Sequence, residues 1–335
     1  MSDYDDLYLR QQMNEAILPR LGGSASPDIV PWGTAADPDP KQLGVAPQWD
    51  QDLGRGLVPG SANRIYVRSR NAGKSDRGAR LYLGAAAPSL PCWPDQLSPV
   101  PTGDGKPYAQ VKVAGNAVGV PLQGYAYTPG SPGDALAAWA YTAQHPVLPP
   151  QNLRDVNALK DFLASTPAYA QRSVAYGIDR EYRYAAHYEQ RDVAAEMAII
   201  LSWSQCPPGW SLSLLPSSGA GPIQIQPIVL TNPSQMVWLQ VSVPAEYADT
   251  LTLAIDTGGL APGPGARVDL NLSLVVDGTR VDSALGKYDP HRPEAIDSQA
   301  TGLFRLGGHS WRAQSQTLPS PATFSSSKEA PRSKS

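Results

Sequence analysis

Residues 63–83 read NRIYVRSRNAGKSDRGARLYL. Ile65 and Val67 alternate with Arg64, Tyr66 and Arg68, and Arg70 follows in the same phase. A glycine-containing connection comes next, after which Ala79, Leu81 and Leu83 alternate with Arg80 and Tyr82. A side-chain period of two means strands with one face buried and one face wet, and the spacing predicts a single β-hairpin. Its wet face would carry Arg64, Tyr66, Arg68 and Arg70 on one strand and Arg80 and Tyr82 on the other. Lys74 and Arg77 fall in the connection, where only Asp76 opposes them. Guanidinium groups interleaved with phenol rings suit anionic glycans, phosphates or acidic protein surfaces. Those six strand residues are the candidate binding face. The competing reading is a solvated face whose charges keep a sheet edge from pairing.

The same alternation extends outward. A short strand is expected at 28–30, and further strands at 108–114, 122–127 and 136–142, the last carrying Trp139. Short strands separated by turn signals predict an immunoglobulin-like antiparallel β-sandwich over 26–145. A second sandwich is predicted over 171–286. There Met197, Ile199, Leu201 and Trp203 share one face of a strand, as do Val268, Leu270, Leu272, Leu274 and Val276 of another, which ends in the turn signal Asp277-Gly278. Between the two, 146–170 reads as a linker holding a short helix, with Asn152 as its cap and Leu153, Val156 and Leu159 on its apolar side. Residues 1–22 predict an N-terminal helix: Ser2 as cap, aspartates in the first turn, and Leu9, Met13, Ala16 and Ile17 in one stripe. From 287 to 335 the pattern fades into an extended to disordered, Ser- and Pro-rich tail. The expected fold class is therefore all-β: two Ig-like sandwiches with a short N-terminal helix, a bridging helix and a disordered tail.

Composition fits that picture. The 335 residues are 41% apolar and include 30 glycines and 34 prolines, which favours short strands and turns over long helices. A net charge of −3 provides no field that would draw nucleic acid. No apolar run is long enough to span a membrane as a helix. The N-terminus is acidic and lacks an apolar core, so the expectation is a cytoplasmic protein or one exported without a cleaved signal peptide. Cys92 and Cys206 fall in different predicted domains, and no disulfide is expected between them.

The stretch 63–83, with its alternating strand, Asn71-x-Gly73, small-residue loop and second strand, resembles the start of bacterial Ig-like repeats, especially those of the CARDB type. The resemblance implies a β-sandwich of a non-catalytic adhesion or spacer kind, and it brings no functional residues of its own.

The sequence carries little recognisable catalytic chemistry. The four histidines, His145, His187, His291 and His309, show no metal spacing, and no phosphate loop, dinucleotide fingerprint or nucleophile elbow is present. Five aspartates in the irregular segment 26–60 (Asp28, Asp37, Asp39, Asp50 and Asp52) supply the oxygen ligands calcium takes, but without a D-x-D-x-D-G loop. Tyr169, Tyr176, Tyr182, Tyr184 and Tyr188 would stack on sugars or form an inter-domain seam. No cofactor is expected. The leading functional expectation is a non-enzymatic recognition or scaffolding protein of a bacterial surface, exported or injected assembly, with a protein or an anionic polymer as partner. A membrane-targeting toxin or effector with a β-rich body is the first alternative. A hydrolase with a triad assembled across the fold, for instance from Ser310, His187 and an aspartate, is the second.

Overall fold

A computed structural model describes residues 4–313 except 14, 16, 19, 21, 46, 131–133, 175–180, 264, 277, 280 and 282–301. The N-terminal half contributes β1 (Leu7–Tyr8), β2 (Ile29–Gly33), β3 (Asn63–Val67), β4 (Ser69–Asn71), β5 (Arg77–Ala86), β6 (Ser89–Leu90), β7 (Ser98–Pro99), β8 (Ala109–Val113), β9 (Val118–Gly119), β10 (Tyr125–Tyr127), β11 (Ala135–Thr142) and β12 (Tyr169–Ser173). Helix α1 (Pro40–Leu43) lies between β2 and β3, and α2 (Val156–Ser165) between β11 and β12. The C-terminal half contributes β13 (Glu181–Glu189), β14 (Ala195–Ser204), β15 (Ser211–Pro216), β16 (Ile225–Val229), β17 (Gln235–Val243), β18 (Ala248–Asp256), β19 (Arg267–Val275) and β20 (Leu303–Arg312). The all-β expectation holds.

The stretch 63–83 does form strands, but they do not pair with each other. β3 pairs with β2 and β10, and β4 with β1 and β9, whereas β5 pairs with β7, β8 and β11 in the opposite sheet. Residues 72–76 form an arch between sheets instead of a hairpin turn. The reason is burial: Ile65 and Val67 face Ala79, Leu81 and Leu83 across one core, which two strands of a single sheet would not do. Asn71 ties the arch, its amide donating to the carbonyls of Ser75, Val113 and Ala114 while its oxygen accepts from Gly73 N at 2.9 Å. Gly73 is required here, because a Cβ would lie 2.2 Å from the Asp5 carbonyl oxygen.

The predicted N-terminal helix is not formed. Leu7 and Tyr8 pair with Asn71 and Arg70, and Leu7 and Leu9 are fully buried. Residues i and i+2 facing one core is strand geometry, and the free edge of β4 supplies a ladder that an isolated first turn lacks. Buried Asp6 accepts from its neighbour Leu7 N, from Thr142 Oγ1 and from the His145 ring, so the segment is locked into the first sandwich. Ser2 and Ala16 lie outside the described residues.

In the C-terminal half, the sheet β16-β15-β18-β13-β6 faces the sheet β17-β14-β19-β20. The alternation read from the sequence places Met197, Ile199, Leu201 and Trp203 against Leu251, Leu253 and Ile255, as expected. β20 corrects the expectation that the pattern ends at 286. Gly307 and Gly308 hide its alternation, and both are crowded: a Cβ on Gly308 would lie 2.4 Å from Leu270 O, and one on Gly307 3.3 Å from Pro91. The register between β19 and β20 shifts by a bulge between Leu272, opposite Gly307, and Ser273, opposite Arg305. The stretch from 314 on lies outside the described residues, as does Asp277 of the predicted turn, while Gly278 has a φ of 64°.

The halves share one core. β6 leaves the first sandwich to pair in parallel with β13, Ser89 opposite His187 and Leu90 opposite Tyr188. α2 buries Val156, Leu159 and Leu163 in the same cluster as Trp93, Trp139, Tyr169 and the interior of the second sandwich. Its cap is Asp155, which accepts from Asn157 N and Ala158 N, and not the predicted Asn152. The tyrosines form the seam: Tyr169, Tyr182, Tyr184 and Tyr188 are all buried, while Tyr176 lies outside the described residues. His309 of β20 closes it. Its Nδ1 meets Ser173 Oγ at 2.8 Å, its Nε2 meets Tyr182 Oη at 2.6 Å, and its ring stacks on Tyr184 at 3.8 Å.

Burial pushes the His309 imidazole down to about 3 from 6.5, so the ring is neutral in the folded protein. A depressed folded-state value means that the unfolded chain takes up the proton first. The stability contributed by the neutral ring is present above pH 6.5 and is lost as pH falls toward 3. His309→Gln is expected to be less stable than the wild type at pH 7 in urea titrations. The gap should narrow below pH 6.5 by at most about 1.4 kcal/mol per pH unit; a gap independent of pH contradicts the assignment.

Candidate outer-face site

The six residues predicted as one wet face occupy three environments. Arg68 is fully buried. The chain changes ladders at this residue, where its N–H donates to Asp28 O at 2.8 Å, and the segment 26–60 folds over what would have been the outer side. The Arg68 guanidinium donates to the carbonyls of Pro27, Leu43, Gln48 and Gln51 and lies 3.4 Å from Asp28 Oδ1. Asp28 is also held by Arg10, at 2.6 Å and 3.2 Å, and Arg10 stacks on Trp49 at 3.4 Å. Burial pushes the Arg68 guanidinium down to about 10, against the pull of Asp28.

Tyr66 is also buried, donating to Asp37 Oδ1 at 3.0 Å, and burial together with Asp37 pushes its phenol up to about 12. Arg64 faces the same Asp37 at 3.5 Å beside a cleft of about 280 Å³. Arg70 lies on β4 between Tyr8 and Val118 of the flanking strands. Only Arg80 and Tyr82 reach the outer face of the five-stranded sheet. Parity assigned side chains to faces correctly within each strand, but it could not show that the segment 26–60 covers one of those faces.

Of the remaining aspartates of that segment, Asp39 and Asp52 are engaged, while Asp50 is exposed. Asp39 caps α1 through Lys41 N. Asp52 binds Arg172 at 2.8 Å and 3.0 Å; burial raises its carboxyl, but the guanidinium outweighs this and holds it down at about 2. Among the described residues no group of three or more His, Cys, Asp or Glu side chains is placed to hold a metal ion.

The site that Arg80 and Tyr82 do belong to is a row of aromatic rings across the sheet. Trp139 on β11 lies opposite Tyr82 on β5, and the two rings stack at 5.3 Å with an interplanar angle of 3°. A Cβ on Gly84, two residues on, would lie 3.1 Å from Leu97 and in ordinary contact, 3.4 Å, with the Trp139 ring. Tyr108 follows at 5.4 Å from Tyr82, and at the far side Phe162 of α2 packs edge-on against Tyr169 at 4.8 Å. The row thus passes from the shared core to half-exposed rings. Beside its open end, Arg80 lies over Tyr108 at 4.9 Å. Arg80, Gln110, Lys112 and Tyr141 rim a cleft of about 560 Å³ floored at Gly78 and Ala79. Lys112 pairs with Asp76 at 3.1 Å, whereas no carboxylate of the described residues is in ion-pair range of Arg80. Sequence reasoning missed Tyr108, Gln110 and Tyr141, because what joins them is the pairing of β5 with β8 and β11.

A second cleft, of about 470 Å³, lies where the halves meet. Asn152, Arg191 and Glu246 line it with φ of 65°, 63° and 61°. Arg191 is clamped there, stacked on Trp93 at 3.9 Å and paired with Asp95 at 2.8 Å. The suggested Ser310–His187 pair is not assembled. Ser310 donates to Asp269, and His187 lies on the exposed side of β13 in the other sheet. Both thiols are buried, and burial pushes Cys92 and Cys206 up to about 12, which keeps them protonated. Among the described residues no helix is long and apolar enough to cross a membrane.

No family model matches the chain, and no curated protein matches it. Among solved structures, red sea bream transglutaminase aligns at 12% identity over 65% of this chain and 27% of that one, with a TM-score of 0.22. The secreted serine protease VesC from Vibrio cholerae aligns at 10% identity over 70% and 52%, with a TM-score of 0.24. The CfaE adhesin of enterotoxigenic E. coli aligns at 8% identity over 94% of both chains, with a TM-score of 0.20. The chain spans about a quarter and about half of the first two. At such TM-scores these likenesses assign neither a fold family nor an activity.

The row predicts a gradient of stability. Trp139→Ala removes a buried ring and should cost about 3–5 kcal/mol. Tyr108→Ala, at the open end, should cost about 1 kcal/mol or less. Urea unfolding of the two variants checks this, and equal costs would contradict the description of the row.

Proposed function

We propose that the protein is a non-enzymatic recognition or scaffolding protein that binds an anionic segment, of a protein surface or of a polymer, on the outer face of its first sandwich. The observation that carries this reading is Arg80. It is exposed, it lacks a carboxylate partner among the described residues, and it stands over a half-exposed ring at the rim of an open cleft. A guanidinium held against an aromatic face keeps its outward donors free for a carboxylate, sulfate or phosphate. Lys112 adds charge, Gln110 and Tyr141 add neutral hydrogen-bonding groups, and Tyr82 and Tyr108 add flat apolar surface. That combination suits an elongated ligand with spaced anionic groups. Arg64, Tyr66, Arg68 and Arg70 drop out of the proposed surface. The setting in a bacterial surface, exported or injected assembly rests on the likeness of 63–83 to Ig-like surface repeats. The engaged carboxylates and the buried thiols support the non-enzymatic reading.

Binding to a sulfated polysaccharide and to poly-glutamate at low ionic strength is the test. Arg80→Glu combined with Lys112→Glu should weaken retention at least about tenfold, with a shallower salt dependence. Tyr82→Ala and Tyr108→Ala should weaken it less. Wild-type protein that binds neither probe, or a double variant that binds as well as wild type, would contradict the proposal.

A further inference from the structure

The face that carries Arg80 ends on an open strand edge. β8 pairs with β5 on one side only, from Val113 opposite Arg77 to Ala109 opposite Leu81. The hydrogen bonds of β5 fix which groups of β8 turn to its other side. Leu83 O accepts from Val100 N at 2.9 Å, on the side of β5 where β7 and β8 lie. By the period of two, Leu81 and Ala79 turn their N–H and C=O groups toward β8, where Ala109 and Val111 answer them. Gln110 and Lys112 therefore present their N–H and C=O groups outward. Among the described residues nothing bonds to the main chain of either on that side. Open space flanks the strand: Gln110, Val111 and Lys112 line the cleft of about 560 Å³, and Tyr108, Ala109 and Gln110 line another of about 360 Å³.

The two sides of this edge differ in chemistry. On the outer side Gln110 and Lys112 are exposed, and the Arg80 guanidinium is carried toward β8 over the Tyr108 ring. On the inner side Val111 is only partly buried, and the smaller cleft runs from Ala109 to Pro121 and Leu122. Leu122 is 74% exposed, the most of any large apolar side chain among the described residues.

We infer that the partner binds as an added strand: an extended segment of another protein, antiparallel to β8, in which acidic and apolar residues alternate. The inference rests on the anionic ligand of the proposed function and narrows it to a polypeptide. Residues opposite Gln110 and Lys112 lie on the outer side, where their carboxylates reach Arg80 with Lys112 alongside. Residues opposite Val111 and Ala109 point inward, the latter toward Pro121 and Leu122. The main-chain bonds supply affinity, and the alternation supplies specificity. A polysaccharide has no matching ladder for the Gln110 and Lys112 backbone. A second copy of β8 would bring its own Arg80 and Lys112 against these cations, so charge favours an acidic strand of a different protein.

Fluorescence anisotropy of labelled peptides with the full chain tests this. An alternating Glu-Val heptapeptide should bind at least about tenfold more tightly than the same residues arranged in two blocks. N-methylation of the glutamates, whose N–H groups face β8, should remove that gain, whereas N-methylation of the valines should leave it. Gln110→Pro deletes an outward N–H and spares the ladder to β5. It should keep the wild-type thermal midpoint, weaken the alternating peptide at least about tenfold, and leave retention on a sulfated polysaccharide unchanged. Wild type that binds no peptide, equal binding of alternating and block peptides, glutamate methylation without effect, or a folded Gln110→Pro that binds as wild type would each overturn the inference. Arg80→Glu combined with Lys112→Glu separates the two readings. If it still weakens binding to the polysaccharide, the anionic face stands without the added strand; if it does not, both fall.

Discussion

A buried guanidinium organises the first sandwich. Arg68 lies where β3 gives way to β4, and its donors reach four backbone carbonyls of the segment 27–51. Asp28 sits between it and Arg10, and the Trp49 ring lies 3.4 Å from one guanidinium and 5.2 Å from the other. Two cations share one carboxylate, so the carbonyls supply the rest of the solvation that water would have given. Taking such charges out of water costs several kcal/mol each, and the cost is met only while the whole set of partners is in place. The segment 26–60, whose prolines and glycines confine regular structure to short pieces such as β2 and α1, forms the shell of this cluster. Its closure over β3 buries Tyr66 and removes it and Arg68 from the protein's surface.

The same alternation principle explains both what was legible in the sequence and what was not. A period of two marks which side chains of a strand point together, and Ala79, Leu81 and Leu83, or Val268 to Leu274, behave accordingly. It does not mark which strand lies alongside. Asn71-x-Gly73 resembles a hairpin turn, yet Asn71 uses its amide to hold an arch between sheets. Leu9, Met13 and Ile17 suit a helical stripe, yet Leu7 and Leu9 win burial as a strand. β20 was hidden because Gly307 and Gly308 stand where alternation would show side chains, and at Gly308 the Leu270 carbonyl leaves no room for a Cβ. Of the candidate site, Arg80 and Tyr82 were visible. Tyr108, Gln110 and Tyr141 were not, since only the β8–β5–β11 register gathers them.

The two halves are joined by burial, not by a tether. α2 and β6 insert into a core that includes Trp93, Trp139 and the tyrosine seam, and His309 bonds to residues of β12 and β13 at once. One consequence reaches the outer face. Trp139 belongs to the shared core and stacks on Tyr82, so the rings beside Arg80 are braced from within the junction.

The account rests on Arg68 being an interior anchor and Arg80 a surface group, although the sequence places both in the same alternating pattern. The most direct measurement is the loss of unfolding free energy for Arg68→Ala and Arg80→Ala under identical urea conditions. The account predicts a cost of about 3–5 kcal/mol for Arg68→Ala, because its buried partners are orphaned, and below about 1 kcal/mol for Arg80→Ala. Equal, small losses for the two variants would contradict it.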